Sequence, residues 1–307
     1  MSKQRIKNKG RPIDGILLLD KPTGLTSNAA LQIVKRLYDA RKAGHTGSLD
    51  PLASGMLPLC FGEATKFSQF LLEADKRYRV TAKLGIKTTT GDAEGEAIAE
   101  KPVPAISEEI LQSLFEKFTG KIQQIPSMYS AIKQNGQPLY KLARQGIEVP
   151  REPRHIEIFS IEYLSHDESS FSFIAHCSKG TYVRTLVEDM GEMLGCGAHV
   201  QALYRLSVGP YTAEKMHTLS ELEKLAENKQ YETMDSYLLP VDSAIEHWPV
   251  LAVSEAAMYY LKQGQPIIVP YAPTSGWVRL THKNGSFLGV GEIMDDGKVA
   301  PRRLVQQ

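Results

Sequence analysis

The sequence has few cysteines and no long apolar segment. Its three cysteines, Cys60, Cys177 and Cys196, are far apart and odd in number. This excludes a disulfide framework and a cysteine-rich zinc site, and it is typical of a reducing cytoplasm. No apolar run approaches the roughly 18 residues that a membrane span needs, and the basic start MSKQRIKNKGR is not followed by the apolar stretch of a signal peptide. We therefore expect a cytoplasmic protein that does not enter a membrane.

The sequence also lacks the common motifs of nucleotide, cofactor and hydrolase chemistry. It contains no GxxxxGK(S/T) phosphate loop, no GxGxxG after a strand, no GxSxG elbow and no HExxH metal motif. Glycoside chemistry with paired carboxylates needs a second acid, which a distant part of the chain could supply. The chemistry that remains is a lone aspartate acting as nucleophile or base.

Basic residues are unevenly distributed along a nearly neutral chain. The 307 residues are 42% hydrophobic and 23% charged, with a net charge of +1, as in an ordinary soluble globular protein. Residues 1–12 carry five lysines and arginines and no acid, and residues 121–155 carry six against two glutamates, while residues 214–235 are acidic. A neutral total can therefore conceal a basic face for nucleic acid, although a solvated surface would carry the same charges.

Hydrophobic periodicity predicts strands that alternate with helices. Buried or alternating apolar runs predict strands at 15–20, 77–88, 171–177 and 198–213. Apolar residues at helical spacing predict helices at 30–38, 63–74, 107–118, 183–194 and 218–227.

The character of the sequence changes near Val250. A short helix at 254–262 precedes strands joined by Asn284-Gly285 and Asp296-Gly297, which are strong hairpin signals. We therefore divide the chain into a large domain, residues 1–248, and a small β-rich module, residues 249–307. Within the large domain, residues 121–155 mix glycine, proline, glutamine and basic residues, and we interpret them as a long functional excursion.

A single acid stands in the stretch GHTGSLDPLASGMLP, residues 44–58. Asp50 precedes Pro51, which pushes the aspartate out of the helical region and fixes the backbone that follows. Three glycines permit tight turns or the close approach of a ligand. We interpret the stretch as a loop that holds a carboxylate rigidly. Asp50 can equally cap a turn or a helix end, since aspartate favours turns.

Four further side chains are candidates for a binding site. Tyr78 is on the apolar face of its strand, either as a core tyrosine or as a stacking platform for a flat ligand. Tyr182 and Arg184 follow an SKG turn at the start of a helix, and Arg184 needs an acid partner if it is not simply exposed. His45 is either a binding residue or an ordinary loop residue.

Five longer motifs occur in order and resemble one enzyme family. They are GILLLDKPTGLTS, KAGHTGSLDPLASGMLP, KRYRVTAKLG with TTTGDAEGE, IPSMYSAIKQNGQPLYKLARQG and CSKGTYVRTLVEDMGEMLGCGAHVQALYR. Together they resemble the bacterial tRNA pseudouridine-55 synthases of the TruB type. The resemblance covers roughly residues 13–210, continues more weakly to the C-terminus and shows no departure at the motif positions.

The resemblance implies an enzyme that isomerises the uridine at position 55 in the T-loop of tRNA to pseudouridine. The glycosidic bond to N1 breaks, the base rotates and a bond to C5 forms, without a cofactor or a metal. The implied fold is α/β (α+β), with a mixed, mainly antiparallel pseudouridine-synthase sheet, flanking helices and a small PUA-like β module at the C-terminus. Because the target base lies in folded RNA, it must leave its stack first.

The resemblance also implies three catalytic residues. Asp50 is the catalytic aspartate, which attacks the sugar or the base or stabilises charge while the bond breaks. Arg184 pairs with Asp50 and keeps the carboxylate ionised and aimed. Tyr78 stacks on the flipped base, which offsets part of the cost of unstacking, and assists removal of the proton from C5.

Four other residues are implied to contact or support the substrate. Tyr182 lines the same pocket, and Leu203 contacts the target nucleotide. His45 fills the gap left by nucleotides that are turned out of the T-loop. Lys21, in the DKPTG motif, buttresses the active-site loop and is counted with the substrate-binding residues.

The expected partner is tRNA, recognised at the T-arm mostly by shape and by phosphate contacts. The excursion and the basic N-terminus are the expected contact regions, and a monomer is expected because the ligand is itself large. Two alternatives stay open. One is a non-catalytic tRNA-binding protein or RNA chaperone, and the other is a carboxylate-based nucleosidase that releases free uracil.

Overall fold

The computed structural model describes residues 10–130 and 132–306. The strands in this part are β1 Gly15–Lys21, β2 Ala43–His45, β3 Ser54–Phe61, β4 Lys76–Leu84, β5 Ile86–Thr88, β6 Ala97–Glu100, β7 Gly120–Gln124, β8 Lys133–Gln134, β9 Gln137–Pro138, β10 Arg154–His166, β11 Ser170–Cys177, β12 Ala198–Val208, β13 His217–Thr218, β14 Val250–Val253, β15 Gly276–His282, β16 Phe287–Ile293 and β17 Val299–Leu304. The helices are α1 Ser27–Leu37, α2 Ser68–Glu73, α3 Glu108–Phe118, α4 Leu139–Ala143, α5 Val183–Met193, α6 Leu219–Glu227, α7 Tyr231–Ser236 and α8 Glu255–Lys262. Every helix among these residues is too short or too polar to cross a bilayer.

The main sheet has the strand order β13-β1-β3-β12-β4-β11-β10-β7, and β2 pairs with β3 outside this path. The pairs β1–β13 and β3–β12 are parallel, and the other pairs are antiparallel. The mixed, mainly antiparallel sheet that the resemblance implies is therefore confirmed.

The alternating pattern predicted as one strand over residues 77–88 produces the central strand β4 up to Leu84, while Ile86–Thr88 forms β5 and pairs with β6 in a separate small sheet. The apolar face of β4 is buried and consists of Tyr78, Val80, Ala82 and Leu84. Apolar side chains of α3 and α5 cover this face within one cluster. Burying a large apolar side chain stabilises a fold by about 1.5–3 kcal/mol, so this cluster anchors β4 and its neighbour β12 against the two helices.

Residues 44–58, predicted as one loop, are irregular only in the middle. β2 ends at His45 and β3 begins at Ser54, so the irregular segment is residues 46–53; we call this segment the aspartate loop. The remainder is the strand β3, whose residues are almost all buried. The prediction was wrong here because glycine and proline signal irregularity without showing which neighbouring strands accommodate them.

The glycine and proline of β3 fit specific places in the sheet. A Cβ on Gly55, whose φ is 97°, would lie 2.4 Å from the carbonyl oxygen of Arg205 on β12. Pro58 lies between the residues of β3 that pair with β12 and those that pair with β2. Proline is tolerated where no ladder hydrogen bond is needed, so neither residue interrupts the strand.

The excursion of residues 121–155 rejoins the main sheet at both ends, because β7 pairs with β10. Between these strands the chain forms the small hairpin β8–β9 and the helix α4. Lys133, Lys141 and Arg144 are exposed on this part. The excursion therefore exposes these three cations, and its contact with RNA stays a prediction.

The basic residues near the N-terminus are mostly outside the described part of the chain. Lys3, Arg5, Lys7 and Lys9 of the predicted RNA contact lie there. The fifth, Arg11, pairs with Asp235, and its guanidinium lies 5.1 Å from the ring centroid of Tyr231. Arg11 is therefore engaged with α7 within the fold.

A second sheet, in the order β14-β15-β16-β17, contains its own apolar cluster. Turns at Asn284-Gly285 and Asp296-Gly297 join its antiparallel strands, which confirms the two predicted hairpins. The sheet also packs on the rest of the chain. The ring centroid of Phe70 on α2 lies 4.8 Å from that of Trp248 and 5.4 Å from that of Trp277, so shared aromatic side chains hold the C-terminal residues in place.

Candidate active site

Five of the predicted site residues line one cavity of about 310 Å³: Asp50, Tyr78, Tyr182, Arg184 and Leu203. They come from four parts of the chain, namely the aspartate loop, β4, the beginning of α5 and β12. The volume is within the range of small-molecule sites. Folding therefore gathers into one place residues that are far apart in the sequence.

Arg184 binds Asp50 and is held from behind by the backbone. Its Nε lies 3.0 Å from Asp50 Oδ2. Its Nη1 donates to the carbonyl of Thr90 and its Nη2 to that of Tyr129, each at 2.8 Å. The Arg184 side chain is 8% exposed and that of Asp50 is 43% exposed. A planar guanidinium fixed at these points orients the carboxylate, which stays open to a ligand.

Asp92, which the sequence analysis did not single out, lies on another side of the same guanidinium. Its Oδ2 is 3.7 Å from Arg184 Nη1, and its side chain is 4% exposed. The buried arginine is thus flanked by two acids, of which only Asp50 lines the cavity. The available sequence signal was the acid within TTTGDAEGE, a motif that contributes to the family resemblance but whose aspartate was given no role.

The charge state of Asp50 reflects two opposing effects. Burial raises the pKa of Asp50, Arg184 opposes this rise and Asp92 adds to it. Arg184 therefore favours the ionised carboxylate, as predicted, but does not outweigh the loss of solvation. A carboxylate with a raised pKa holds a proton more strongly and is a stronger base.

The aspartate loop is held from outside on both sides of Asp50. Ser27 Oγ accepts a hydrogen bond from the Leu49 N–H at 2.7 Å and donates to the Leu49 carbonyl at 3.0 Å. The N–H of Gly24 donates to the Pro51 carbonyl at 2.8 Å. These contacts come from the DKPTGLTS motif, so that motif fixes the backbone next to the catalytic candidate.

Arg205 is buried beneath the cavity and was not predicted. It is 1% exposed, its Nε donates to the Met56 carbonyl at 2.6 Å, and its Nη2 donates to the Gly47 carbonyl at 3.0 Å. It is also the direct cross-strand neighbour of Tyr78. The available sequence signal was its position two residues after Leu203, because residues two apart on a strand share a face.

The two predicted tyrosines of the cavity, Tyr78 and Tyr182, are held differently. Burial raises the pKa of Tyr78, and Arg205 opposes the rise through its charge and a hydrogen bond, so the Tyr78 phenol is protonated at neutral pH. Tyr182 precedes α5, where its N–H donates to Gln124 Oε1 at 3.0 Å and its carbonyl accepts from Gln124 Nε2 at 3.3 Å. The β7 side chain of Gln124 therefore fixes the peptide that carries Tyr182.

Two predicted site residues do not line the cavity. His45 is half-buried at the end of β2, and burial lowers its pKa. Lys21 is 0% exposed, and its Nζ donates to the carbonyls of Pro22 at 2.8 Å and Leu25 at 2.7 Å; burial lowers the pKa of Lys21 to about 8. Lys21 thus holds the turn that reaches the aspartate loop and has no surface for a ligand in this conformation.

Lys76 is another buried lysine and, unlike Lys21, it lines the cavity. Its donors are nevertheless used within the fold. Lys76 Nζ donates to three carbonyls at the end of α2, those of Leu71, Leu72 and Ala74. Burial lowers the pKa of Lys76 to about 8. A cation at this end of a helix satisfies carbonyls that lack helical partners.

No group of three or more histidine, cysteine, aspartate or glutamate side chains is placed to hold a metal ion within residues 10–130 and 132–306. The three cysteines are free and buried. Cys177 lines the cavity, and burial raises its pKa to about 11, so its thiol is protonated. The cavity thus offers a carboxylate with an arginine partner beside a neutral phenol.

Solved structures share this architecture. A chain of the crystal structure of a Cbf5-Nop10-Gar1 complex superposes with a TM-score of 0.72 at 24% identity, covering 95% of this chain and 84% of that one. A chain of the H/ACA RNP bound to a substrate RNA containing 2′-deoxyuridine superposes with a TM-score of 0.71 at 23% identity, covering 99% and 92%. At this level of identity the likeness concerns the fold alone.

The sequence relationships are closer. Residues 35–183 match the model described as TruB family pseudouridylate synthase (N terminal domain), and residues 184–246 match the tRNA pseudouridylate synthase B C-terminal domain. Residues 249–305 match the model described as Pseudouridine synthase II TruB, C-terminal. The tRNA pseudouridine synthase B of Coxiella burnetii is 54% identical over 97% of this chain and 96% of its own, and that of Stutzerimonas stutzeri is 54% identical over 98% and 99%. The chain therefore belongs to the TruB family of pseudouridine synthases.

Proposed function

We propose that this protein converts the uridine at position 55 in the T-loop of tRNA to pseudouridine. Its family membership and the names of its relatives support a tRNA pseudouridine synthase, an isomerase. The observation that carries the proposal is that the ion pair of Asp50 and Arg184 shares one cavity with Tyr78. This arrangement supplies an acid, a partner for its charge and a flat surface for a base.

The reaction exchanges one bond for another within a single nucleotide. The bond between ribose C1′ and uracil N1 breaks, the base rotates, and C1′ bonds to C5. C5 loses a proton and N1 gains one, so the product is an isomer of the substrate. Asp50 acts either as a nucleophile toward the sugar or the base, or as the anion that stabilises positive charge on the ribose. Its half-exposed side chain, with Arg184 behind it, suits each of these roles.

Tyr78 receives the base after it has left the RNA stack. Flipping a base out of its stack costs a few kcal/mol, and stacking on an aromatic ring returns about 1–3 kcal/mol. Tyr78 is placed beside Asp50 in the cavity wall. Because its hydroxyl is protonated at neutral pH, it can take the proton from C5 only while it passes its own proton on.

The RNA is held mainly through its shape and its phosphates. The exposed cations Lys133, Lys141 and Arg144 belong to the same excursion as Tyr129, whose carbonyl binds Arg184. His45, half-buried at the end of β2 and directly before the aspartate loop, would fill the space left by nucleotides that leave the T-loop. Its pKa is lowered by burial, so a neutral imidazole faces the RNA.

The two parts of the chain have different proposed roles. Residues 1–248 form the catalytic domain, and residues 249–307 form a PUA-like RNA-binding module. The matches that end at residue 246 and begin at residue 249 support this boundary. We expect the protein to act as a monomer in the cytoplasm, and its free cysteines are consistent with a reducing compartment.

Incubation with an unmodified tRNA transcript, followed by mapping of pseudouridine at nucleotide resolution, tests the proposal. We expect one new pseudouridine at position 55 and no released uracil. Release of uracil would indicate a nucleosidase instead. Tight binding of tRNA without any pseudouridine would indicate a non-catalytic RNA chaperone.

A further inference from the structure

Ser130 presents a buried hydroxyl to the cavity. The residue is 3% exposed and lines the cavity with Asp50 and Tyr78. Its Oγ has no hydrogen-bond partner among residues 10–130 and 132–306. Buried hydroxyls are normally paired, so an unpaired one at a binding site calls for a partner that arrives from outside.

The backbone around Ser130 is held in place. The carbonyl of Tyr129 accepts from Arg184 at 2.8 Å, and the carbonyl of Ser130 accepts from the N–H of Tyr140 at 3.1 Å. Ser130 is thus fixed between the catalytic arginine and α4 of the excursion. Its hydroxyl is therefore presented from a supported position.

The other buried polar side chains that line the cavity already have partners. Arg184 is bound to Asp50 and to two carbonyls. Lys76 caps α2 with its three donors. Arg205 donates to the carbonyls of Met56 and Gly47. Ser130 differs from these three side chains, because its hydroxyl has no partner among the described residues and remains available to a ligand.

We propose that the Ser130 hydroxyl donates a hydrogen bond to a carbonyl oxygen of the flipped uracil. This inference rests on the proposed function and deepens it. Uracil has two carbonyl oxygens that lose their water when the base is enclosed, and each then needs a donor. The sugar lies next to Asp50, whose side chain is 43% exposed, so the deeply buried hydroxyl faces the base. The excursion that is proposed to bind the RNA thereby also contacts the flipped base.

The first test compares wild type with Ser130→Ala in single-turnover formation of pseudouridine on an unmodified tRNA transcript. We expect the rate to fall about tenfold, as for the loss of one buried hydrogen bond, with tRNA affinity within about threefold of wild type. The folded protein loses no internal hydrogen bond, so the melting temperature should not fall. Ser130→Cys, which keeps a weak donor, should give an intermediate rate and serves as a second variant.

A matched control is available on α5. The Thr185 hydroxyl is also buried and without a partner in the described part of the chain, but Thr185 does not line the cavity. Thr185→Val should leave the rate unchanged. Equal rates for wild type and Ser130→Ala, or equal losses for Ser130→Ala and Thr185→Val, would overturn the inference.

The second test identifies the accepting atom. Transcripts carry 2-thiouridine or 4-thiouridine at the target position, since sulfur accepts hydrogen bonds weakly. The difference in single-turnover rate between wild type and Ser130→Ala should largely disappear with one of these two substrates and persist with the other. If the rate difference persists with both thiouridine substrates, Ser130 does not donate to a carbonyl oxygen of the base. If wild type forms no pseudouridine on the normal transcript, the proposed function itself fails, which is a separate outcome.

Discussion

Arg205 lies directly opposite Tyr78 in the antiparallel pairing of β12 with β4. Its guanidinium also binds the carbonyl of Gly47, in the aspartate loop, at 3.0 Å. One buried arginine therefore connects the strand position of Tyr78 with the loop that carries Asp50. The positive charge of Arg205 also opposes the rise in the pKa of Tyr78 that burial causes.

This relationship predicts that Arg205 positions Tyr78. Arg205→Lys keeps the charge but cannot reproduce the fork of donors, so we expect a rate about tenfold lower with unchanged tRNA affinity. The loss should be smaller when Tyr78→Phe is already present, because coupled residues are not additive. Strict additivity in this double-mutant cycle would contradict the role.

Arg279 provides a control for that experiment. It donates to the Trp248 carbonyl at 3.3 Å and pairs with Asp242 at 3.0 Å, but it does not line the cavity. Arg279→Lys should lower the melting temperature slightly and leave the single-turnover rate unchanged.

Asp50→Asn should abolish formation of pseudouridine, because the amide is neither a nucleophile nor an anion. Binding of tRNA should stay within several-fold of wild type, since most RNA contacts lie elsewhere. A single-turnover assay and a filter-binding titration measure the two effects. Normal turnover by a folded Asp50→Asn protein would remove Asp50 from the mechanism.

The raised pKa of Asp50 predicts two pH effects. The rate should fall as the pH drops through that pKa, so the acid limb should lie above about pH 4, where ordinary aspartates titrate. A carboxyl whose pKa is raised by folding loses its contribution to stability as the pH rises through the folded-state pKa. The melting temperature of Asp50→Asn relative to wild type should therefore be higher at pH 7 than at pH 4. An acid limb at the ordinary aspartate value would contradict this.

Tyr78→Phe separates stacking from proton transfer. The ring remains, so tRNA affinity should stay within about threefold of wild type, while loss of the hydroxyl should slow the single turnover about tenfold or more. Tyr78→Leu, which also loses the aromatic surface, should weaken capture of the base further. A wild-type rate for Tyr78→Phe would leave stacking as the only role.

Salt should weaken tRNA binding through the excursion. Each phosphate contact contributes a slope of about −0.9 in a plot of log affinity against log salt. Replacing Lys133, Lys141 and Arg144 with glutamine should therefore reduce the slope by about two to three units. Lys224→Gln, at an exposed position on α6, should leave it unchanged. If the triple variant and Lys224→Gln show the same slope, the phosphate contacts lie outside the excursion.

Local patterns predicted much of the fold correctly. The alternation in β4 and the turn residues of the C-terminal hairpins identify their own structures, because side-chain period and turn chemistry are properties of neighbouring residues. The strand β3 was not predicted, because it depends on residues that are distant in the sequence. Its glycine is accommodated by the backbone of Arg205 on β12, a contact that short-range patterns do not contain.

The sequence by itself determined the family motifs, the strands β1, β4, β11 and β12, and the single acid of GHTGSLDPLASGMLP. The family resemblance implied that Arg184 pairs with Asp50, and only the tertiary structure showed how these two groups are arranged with the unpredicted Asp92, Arg205 and Ser130. The sheet order brings β12 and β4 together beneath the aspartate loop and brings the start of α5 beside it. Partnership with Arg184, support by Arg205 and the unpaired hydroxyl of Ser130 all depend on contacts between distant segments. Such contacts follow from packing of the whole chain, and no local spacing encodes them.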